Sequence, residues 1–119
     1  MRDSKNRVGL PIPTLGEKRP AATTLEIDGH AIILVRLKHH WRAYLNQCPH
    51  RGIPLDWTPG QVLDQSGQLL LCAMHGALFH PENGHCLAGP CQGKALVAID
   101  IEVTQNRLWL SLPSPERSA

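Results

Sequence analysis

Apolar and polar residues alternate along several short stretches of the chain, a pattern that predicts β-strands. Residues 94–104 show this alternation most clearly, because Val97, Ile99, Ile101 and Val103 occupy every second position. A strand with this pattern presents its branched apolar side chains to one face of a sheet. We expect further strands at about residues 8–12, 21–27, 30–37, 41–45, 68–71, 78–80 and 108–112.

Short polar segments separate these stretches and predict tight turns between neighbouring strands. Asp28-Gly29 is a favoured two-residue hairpin turn, and Gln105-Asn106 occupies the corresponding place between the last two strands. The chain has no helical periodicity of useful length, no internal repeat and no low-complexity segment. Its 119 residues suit one domain with a modest core. The predicted fold class is therefore all-β, with short antiparallel strands.

The charge distribution argues against nucleic acid as a partner. The formal net charge is only +2, and the 12 Lys and Arg residues are scattered along the chain. Apolar runs such as residues 31–35 are far shorter than the ~20 residues needed to span a membrane. The basic N-terminus lacks the apolar segment of a secretory signal. We therefore expect a soluble, cytoplasmic protein that binds neither nucleic acid nor a membrane.

Two short motifs carry residues that bind metals. The first motif is Cys48-Pro49-His50, and the second motif is Cys72-Ala73-Met74-His75. Each motif places one thiolate and one imidazole on a single tight loop, so that ordering one loop positions two ligands. Zinc would take all four side chains in one tetrahedral site. A Rieske [2Fe-2S] cluster would take two Cys on one iron and two His on the other.

The residues around the motifs distinguish these two metals. Glycine follows each histidine within two residues, as Gly52 and Gly76, and allows the backbone to approach a cofactor closely. Phe79 and a later Gly89-Pro90 pair complete the pattern. Cys-Pro-His-Arg-Gly, Cys-x-x-His-Gly-x-x-Phe and this Gly-Pro pair together resemble the Rieske [2Fe-2S] proteins, over residues 46–96, and in particular the standalone bacterial Rieske-type ferredoxins.

The resemblance implies a ligand set and a domain organisation. Cys48, His50, Cys72 and His75 are the expected ligands of a [2Fe-2S] cluster, and no catalytic residue is expected. The whole chain, 1–119, is expected to form a single Rieske domain. A β sandwich or barrel base would comprise about residues 1–45 and 92–112, a small inserted cluster-binding subdomain about residues 46–91, and a tail residues 113–119.

The function implied by the resemblance is one-electron transfer. A low-potential ferredoxin would take electrons from an upstream reductase and pass them to a downstream oxygenase or related oxidoreductase. The alternatives are a Rieske-type small subunit of a reductase, such as assimilatory nitrite reductase, and a zinc-stabilised interaction module. Rieske oxygenases carry a further iron on two His and a carboxylate, whereas residues 97–119 contain no histidine. An electron-transfer component is therefore expected rather than an enzyme by itself.

Two further features of the family are expected to be absent. Respiratory Rieske proteins join the two cluster loops by a disulfide, but Ile53 and Met74 occupy the matching positions here. The alternatives for the remaining cysteines, Cys86 and Cys91, are a disulfide, which would close a very short loop with demanding geometry, and two buried free thiols, which a reducing cytosol favours. Respiratory members also place hydroxyl groups near the cluster at the positions of Ala77 and Phe79. Without those donors, we expect a midpoint potential of about −150 to 0 mV, in the lower part of the Rieske range.

Overall fold

Nine β-strands and no helix occur in the residues that the computed structural model describes, which are 7–17, 20–38, 40–49, 53–56, 60–73, 76–91 and 93–112. The predicted tail at 113–119 lies outside these residues. Among the described residues, none belongs to a helix long and apolar enough to cross a membrane. The strands are β1 (Arg7–Pro11), β2 (Ala21–Ile27), β3 (His30–Arg36), β4 (Trp41–Leu45), β5 (Leu70–Leu71), β6 (Leu78–Phe79), β7 (Cys86–Ala88), β8 (Ala98–Thr104) and β9 (Arg107–Ser111).

The strands form two antiparallel sheets. The large sheet has six strands in the order β1-β9-β8-β4-β3-β2, and the small sheet has three in the order β5-β6-β7. These sheets confirm the all-β fold class. The boundaries of an inserted subdomain near residues 46 and 91 stay a prediction.

The hairpin turns agree with the sequence pattern. Asp28 and Gly29 both have positive φ angles, of 51° and 82°, and they join β2 to β3. Gln105 and Asn106, with φ angles of 53° and 62°, join β8 to β9 in the same way. Two consecutive residues with positive φ match the twist of the flanking strands. These local turns set the register of both hairpins.

The strand predicted over residues 94–104 begins only at Ala98. The preceding residues bond to the small sheet and its loops instead. The amide of Lys94 donates to the carbonyl of Cys91, and the amide of Leu96 donates to the carbonyl of Gly84, both at 2.9 Å. Residues 94–97 therefore carry the chain from the small sheet to the large one, and Val97 is left exposed.

β3 divides the interior into two cores because its neighbouring side chains point to opposite faces of the sheet. Ile32 and Leu34 belong to the base core, which packs inside the large sheet with Leu108 and Leu110 of β9. The site core packs on the other face of the sheet. It comprises Ile33, Val35, Tyr44, Cys48, Leu55, Val62, Leu70, Cys72, Ala77, Phe79, Cys91 and Leu96. Three of the four cysteines are thus buried in the core beneath the small sheet.

Candidate metal centre

The first motif lies just after the end of β4. The amide of Asn46 donates to the carbonyl of Ala31 at 2.8 Å, which continues the pairing of β4 with β3. Two residues later, the amide of Cys48 donates to the carbonyl of Ile53 at 2.7 Å and closes the loop. The Cys48 side chain is fully buried. Cys48 therefore lies three residues after the end of β4, in a loop whose two ends are joined by the hydrogen bond between Cys48 and Ile53.

A polar network around the buried Asn46 side chain holds the first loop in place. The side-chain oxygen of Asn46 accepts the amide of Leu55 at 2.7 Å, and its nitrogen donates to Asp56 at 2.9 Å. Asp56 also accepts the amide of Gly60 at 2.9 Å and the hydroxyl of Thr24 at 3.2 Å. Burial tends to raise the pKa of Asp56, but the hydrogen bonds from Asn46, Gly60 and Thr24 outweigh it and lower that pKa. The network joins both ends of the loop to β2.

Sequence reasoning missed the Asn46–Asp56 pair. One signal was present, because Asn46 directly follows the apolar strand β4 and precedes the first motif by two positions. Asn46 is the one buried polar side chain in the described ranges, and buried polar groups need partners. Which residues Asn46 bonds depends on how the first loop folds back on itself, and the local sequence pattern does not predict this.

The second motif lies in a tight loop between β5 and β6. The amide of Cys72 donates to the carbonyl of Ala77 at 2.9 Å, and the amide of Gly76 donates to the carbonyl of Cys72 at 2.8 Å. Gly76 has a φ of 71°, a conformation that glycine adopts without the steric cost of a Cβ. Cys72 is fully buried.

One hydrogen bond joins the two loops directly. The amide of Ala73, next to Cys72, donates to the carbonyl of Leu55 at 2.9 Å. Leu55 is the same residue whose amide Asn46 accepts. The loop that carries Cys48 is thus connected through one buried residue to the loop that carries Cys72.

The structure describes two of the four predicted ligands. Cys48 and Cys72 both lie in the site core, whereas His50 and His75 lie outside the described residues. Considering only the side chains that are described, no three of the types His, Cys, Asp and Glu gather as a metal site. The four-residue ligand set therefore stays a prediction. Two buried thiols on hydrogen-bonded loops fit the half of a [2Fe-2S] cluster that takes sulfur ligands.

A third segment, the Gly-Pro loop of residues 86–91, packs against Ala77 at the end of the loop that carries the second motif. A Cβ placed on Gly89 would lie 2.7 Å from the Cα of Ala77, and Gly89 has a φ of 104°. Both observations require glycine, because a side chain would clash and would disfavour this backbone conformation. The Gly-Pro loop therefore lies in backbone contact with the residue two positions after His75.

Cys86 and Cys91 are the first and last residues of this loop, and their sulfur atoms lie 2.7 Å apart. Cys91 is fully buried in the site core, as expected, whereas Cys86 is only half-buried. Burial raises the pKa of Cys91 to about 12, and a hydrogen bond to Cys86 and the nearby Cys86 and Cys48 sulfurs act in the same direction. Both residues are free cysteines.

The described side chains of the site core provide few hydroxyl groups that could donate a hydrogen bond to a cofactor. Ala77 and Phe79 are fully buried and have no hydroxyl group. Tyr44 belongs to the same core, but its hydroxyl donates to the carbonyl of Pro81 at 2.7 Å. Burial raises the pKa of Tyr44 to about 12, so the hydroxyl keeps its proton. The one phenol of the site core is thus already committed to a structural hydrogen bond.

Solved structures with the same fold include electron carriers and oxygenases. The ferredoxin of carbazole 1,9a-dioxygenase from Nocardioides aromaticivorans IC177 is 23% identical, with a TM-score of 0.64, over 87% of this chain and 96% of that one. The terminal oxygenase of the same system is 20% identical, with a TM-score of 0.65, over 86% of this chain and 29% of that one. The corresponding oxygenase from Novosphingobium sp. KA1 is also 20% identical, with a TM-score of 0.65, over 89% and 30%.

Comparison with protein families gives a direct assignment. No curated protein sequence matches the chain significantly. The model of the Rieske [2Fe-2S] domain, however, matches residues 14–108, a range that includes both Cys–His motifs and the Gly-Pro loop. Because this match covers most of the 119 residues, the chain belongs to the Rieske [2Fe-2S] domain family.

Proposed function

We propose that this chain is a one-electron carrier of the ferredoxin type that serves an oxygenase. Cys48 and Cys72 would bind one iron of the [2Fe-2S] cluster, and His50 and His75 the other. When bound, the cluster accepts and releases single electrons. The observation that carries the proposal is the placement of Cys48 and Cys72, fully buried on two hydrogen-bonded loops, within the Rieske family match.

The chain's own residues perform three tasks in this proposal. The apolar side chains of the site core exclude water from Cys48 and Cys72. The Asn46–Asp56 network and the bond from Ala73 to Leu55 hold the two loops in one arrangement. Electron transfer is faster when the surroundings of the cluster do not rearrange, so a rigid double loop suits a carrier.

We propose an oxygenase as the electron acceptor because the similar solved structures include both a ferredoxin and the terminal oxygenases of carbazole 1,9a-dioxygenase. The carbazole dioxygenase ferredoxin is matched over 96% of its length, whereas the terminal oxygenases are matched over less than a third of theirs. One chain of a solved complex between oxygenase and ferredoxin of carbazole 1,9a-dioxygenase is also similar to this chain, over 25% of its length. We extend the proposal to an upstream reductase as electron donor and to a cytoplasmic location.

The cluster should have a low midpoint potential. Hydrogen bonds to the cluster sulfurs stabilise the more negative, reduced state, and Ala77 and Phe79 cannot donate them. We therefore place the midpoint at about −150 to 0 mV within the family's range. The changes Ala77→Ser and Phe79→Tyr should each raise it, and the double variant should lie above both single variants.

Cluster content and potential together test the proposed function. Anaerobically purified protein should contain about two iron and two sulfide per chain and give a rhombic EPR signal after reduction. Cys48→Ser and Cys72→Ser should abolish that signal, and so should His50→Ala and His75→Ala. One zinc and no sulfide would eliminate the cluster, and a midpoint near the top of the Rieske range would eliminate the ferredoxin assignment.

A further inference from the structure

Cys86 and Cys91 are free cysteines whose side chains are in contact. Their sulfur atoms are 2.7 Å apart, which is only about 0.65 Å longer than the ~2.05 Å of a disulfide bond. The two residues are five positions apart in the sequence. They are not the positions of the respiratory disulfide, which match Ile53 and Met74 here.

The backbone holds the two cysteines together. The amide of Cys86 donates to the carbonyl of Lys94, and the amide of Lys94 donates to the carbonyl of Cys91, both at 2.9 Å. Cys86 also pairs with Phe79 across the small sheet. The main-chain pairing therefore holds the two residues near each other, and their side chains bring the sulfurs into contact.

The two thiols differ in their access to solvent. Cys86 is half-buried on β7, beside the exposed Leu87, whereas Cys91 is fully buried. The Cys86 thiol donates to the carbonyl of Ala88 at 3.3 Å. Because Cys86 is the more exposed of the two residues, we expect a reagent in solution to reach it before Cys91. Cys91 lies within reach of the Cys86 sulfur but is shielded from the solvent, which is the arrangement of an attacking and a resolving cysteine.

The segment between the two cysteines contacts the end of the loop that carries the second motif. Gly89 packs against Ala77, two residues after His75. Joining Cys86 to Cys91 would close a ring around Gly89-Pro90 and restrict the motion of that segment. The oxidation state of the pair can therefore affect how firmly the Gly-Pro loop is held against Ala77.

We propose that Cys86 and Cys91 form a second redox site, a dithiol that low-molecular-weight disulfides convert to an intramolecular disulfide. The Cys86 thiolate attacks the reagent disulfide, forms a mixed disulfide and releases one thiol. The Cys91 sulfur then attacks the Cys86 sulfur and releases the second thiol. Two electrons and two protons pass to the reagent, which ends as two thiols. This two-electron step needs neither an electron from the cluster nor the proposed acceptor.

Thiol counting after oxidation tests this site in the full-length holoprotein. The protein is equilibrated anaerobically overnight with mixtures of reduced and oxidised glutathione, quenched in acid, unfolded and labelled with maleimide. The reduced chain should take four labels, one on each cysteine. The oxidised chain should lose two of them, peptide mapping should show Cys86 joined to Cys91, and dithiothreitol should restore all four.

Single variants separate the two steps. Cys91→Ala should stop at a stable glutathione adduct on Cys86, and Cys86→Ala should keep an unmodified Cys91. Hydrogen exchange provides a second readout, because the amides of residues 87–89 should exchange more slowly in the oxidised protein than in the reduced one. Four labels at the most oxidising ratio, or a wild-type protein that carries only a glutathione adduct on Cys86, would overturn the proposal.

Discussion

The substitution Asn46→Ala tests whether one buried side chain holds the first loop. It removes the acceptor of the Leu55 amide, and a buried N–H without a partner costs about 1–3 kcal/mol. It also removes the donor to Asp56, worth about 0.5–1.5 kcal/mol because that carboxylate is partly exposed and can bind water instead. We therefore expect the free energy of unfolding to fall by about 2–4 kcal/mol.

Urea denaturation of the holoprotein under anaerobic conditions measures this loss. With a slope of about 2 kcal/mol/M, the midpoint should fall by roughly 1–2 M. Visible absorbance should show that cluster loss begins at lower urea than in the wild type, because Leu55 also links the two loops through Ala73.

Asn83→Ala is the matched control, since it makes the same change at an exposed site. The Asn83 side chain accepts one backbone amide, that of His85, at 2.9 Å. Water can replace this acceptor, so the loss should be no more than about 1 kcal/mol. Equal midpoints for Asn46→Ala and Asn83→Ala would refute the role assigned to the Asn46 network.

A second change at the same site has a distinct pH signature. Asn46→Asp keeps an oxygen for the Leu55 amide but places a second carboxylate against Asp56. Two adjacent carboxylates resist ionising together, so one of them should bind a proton more readily in the folded state than in the unfolded state. The variant should therefore lose stability relative to the wild type as the pH rises from about 4 to 7. A pH-independent difference would contradict this reasoning.

Three further predictions follow from the same structure. Gly89→Ala should displace the Gly-Pro loop and lower the urea midpoint, because its Cβ would meet Ala77. Gly93→Ala is the control, since Gly93 has a similar φ of 87° but open space around its Cβ, and it should lower the urea midpoint less. Equal decreases in the two variants would contradict the clash. Tyr44→Phe should lower the free energy of unfolding by about 1–2 kcal/mol at pH 7, measured in urea, because it leaves a buried carbonyl without its donor. Because the pKa of Asp56 is lowered by folding, its contribution to stability should be complete well above its unfolded pKa of about 3.9 and disappear as the pH falls through the lower folded value. Unfolding curves between pH 7 and 2 should show this decline, and Asp56→Asn should make it shallower.

Local chemistry determined much of the fold. The ends of β2 and β4 agree with the sequence pattern, because alternation and turn residues act within a few positions. Asp28-Gly29 placed its hairpin turn correctly for the same reason. The two Cys–His motifs and the Gly-Pro pair were sufficient to identify the family, since ligand spacing and glycine placement are properties of short segments.

Only the tertiary structure decided which distant residues meet. β8 starts at Ala98 because the residues before it bond to the small sheet, although their alternation continues the pattern of the strand. Asn46 joins Leu55 and Asp56 because the first loop folds back on itself. Cys86 and Cys91 come together because the backbones of both residues bond to Lys94. A local pattern predicts which face of its strand a side chain occupies. The residue that this side chain contacts depends on pairings between distant segments, which form only when the whole chain has folded.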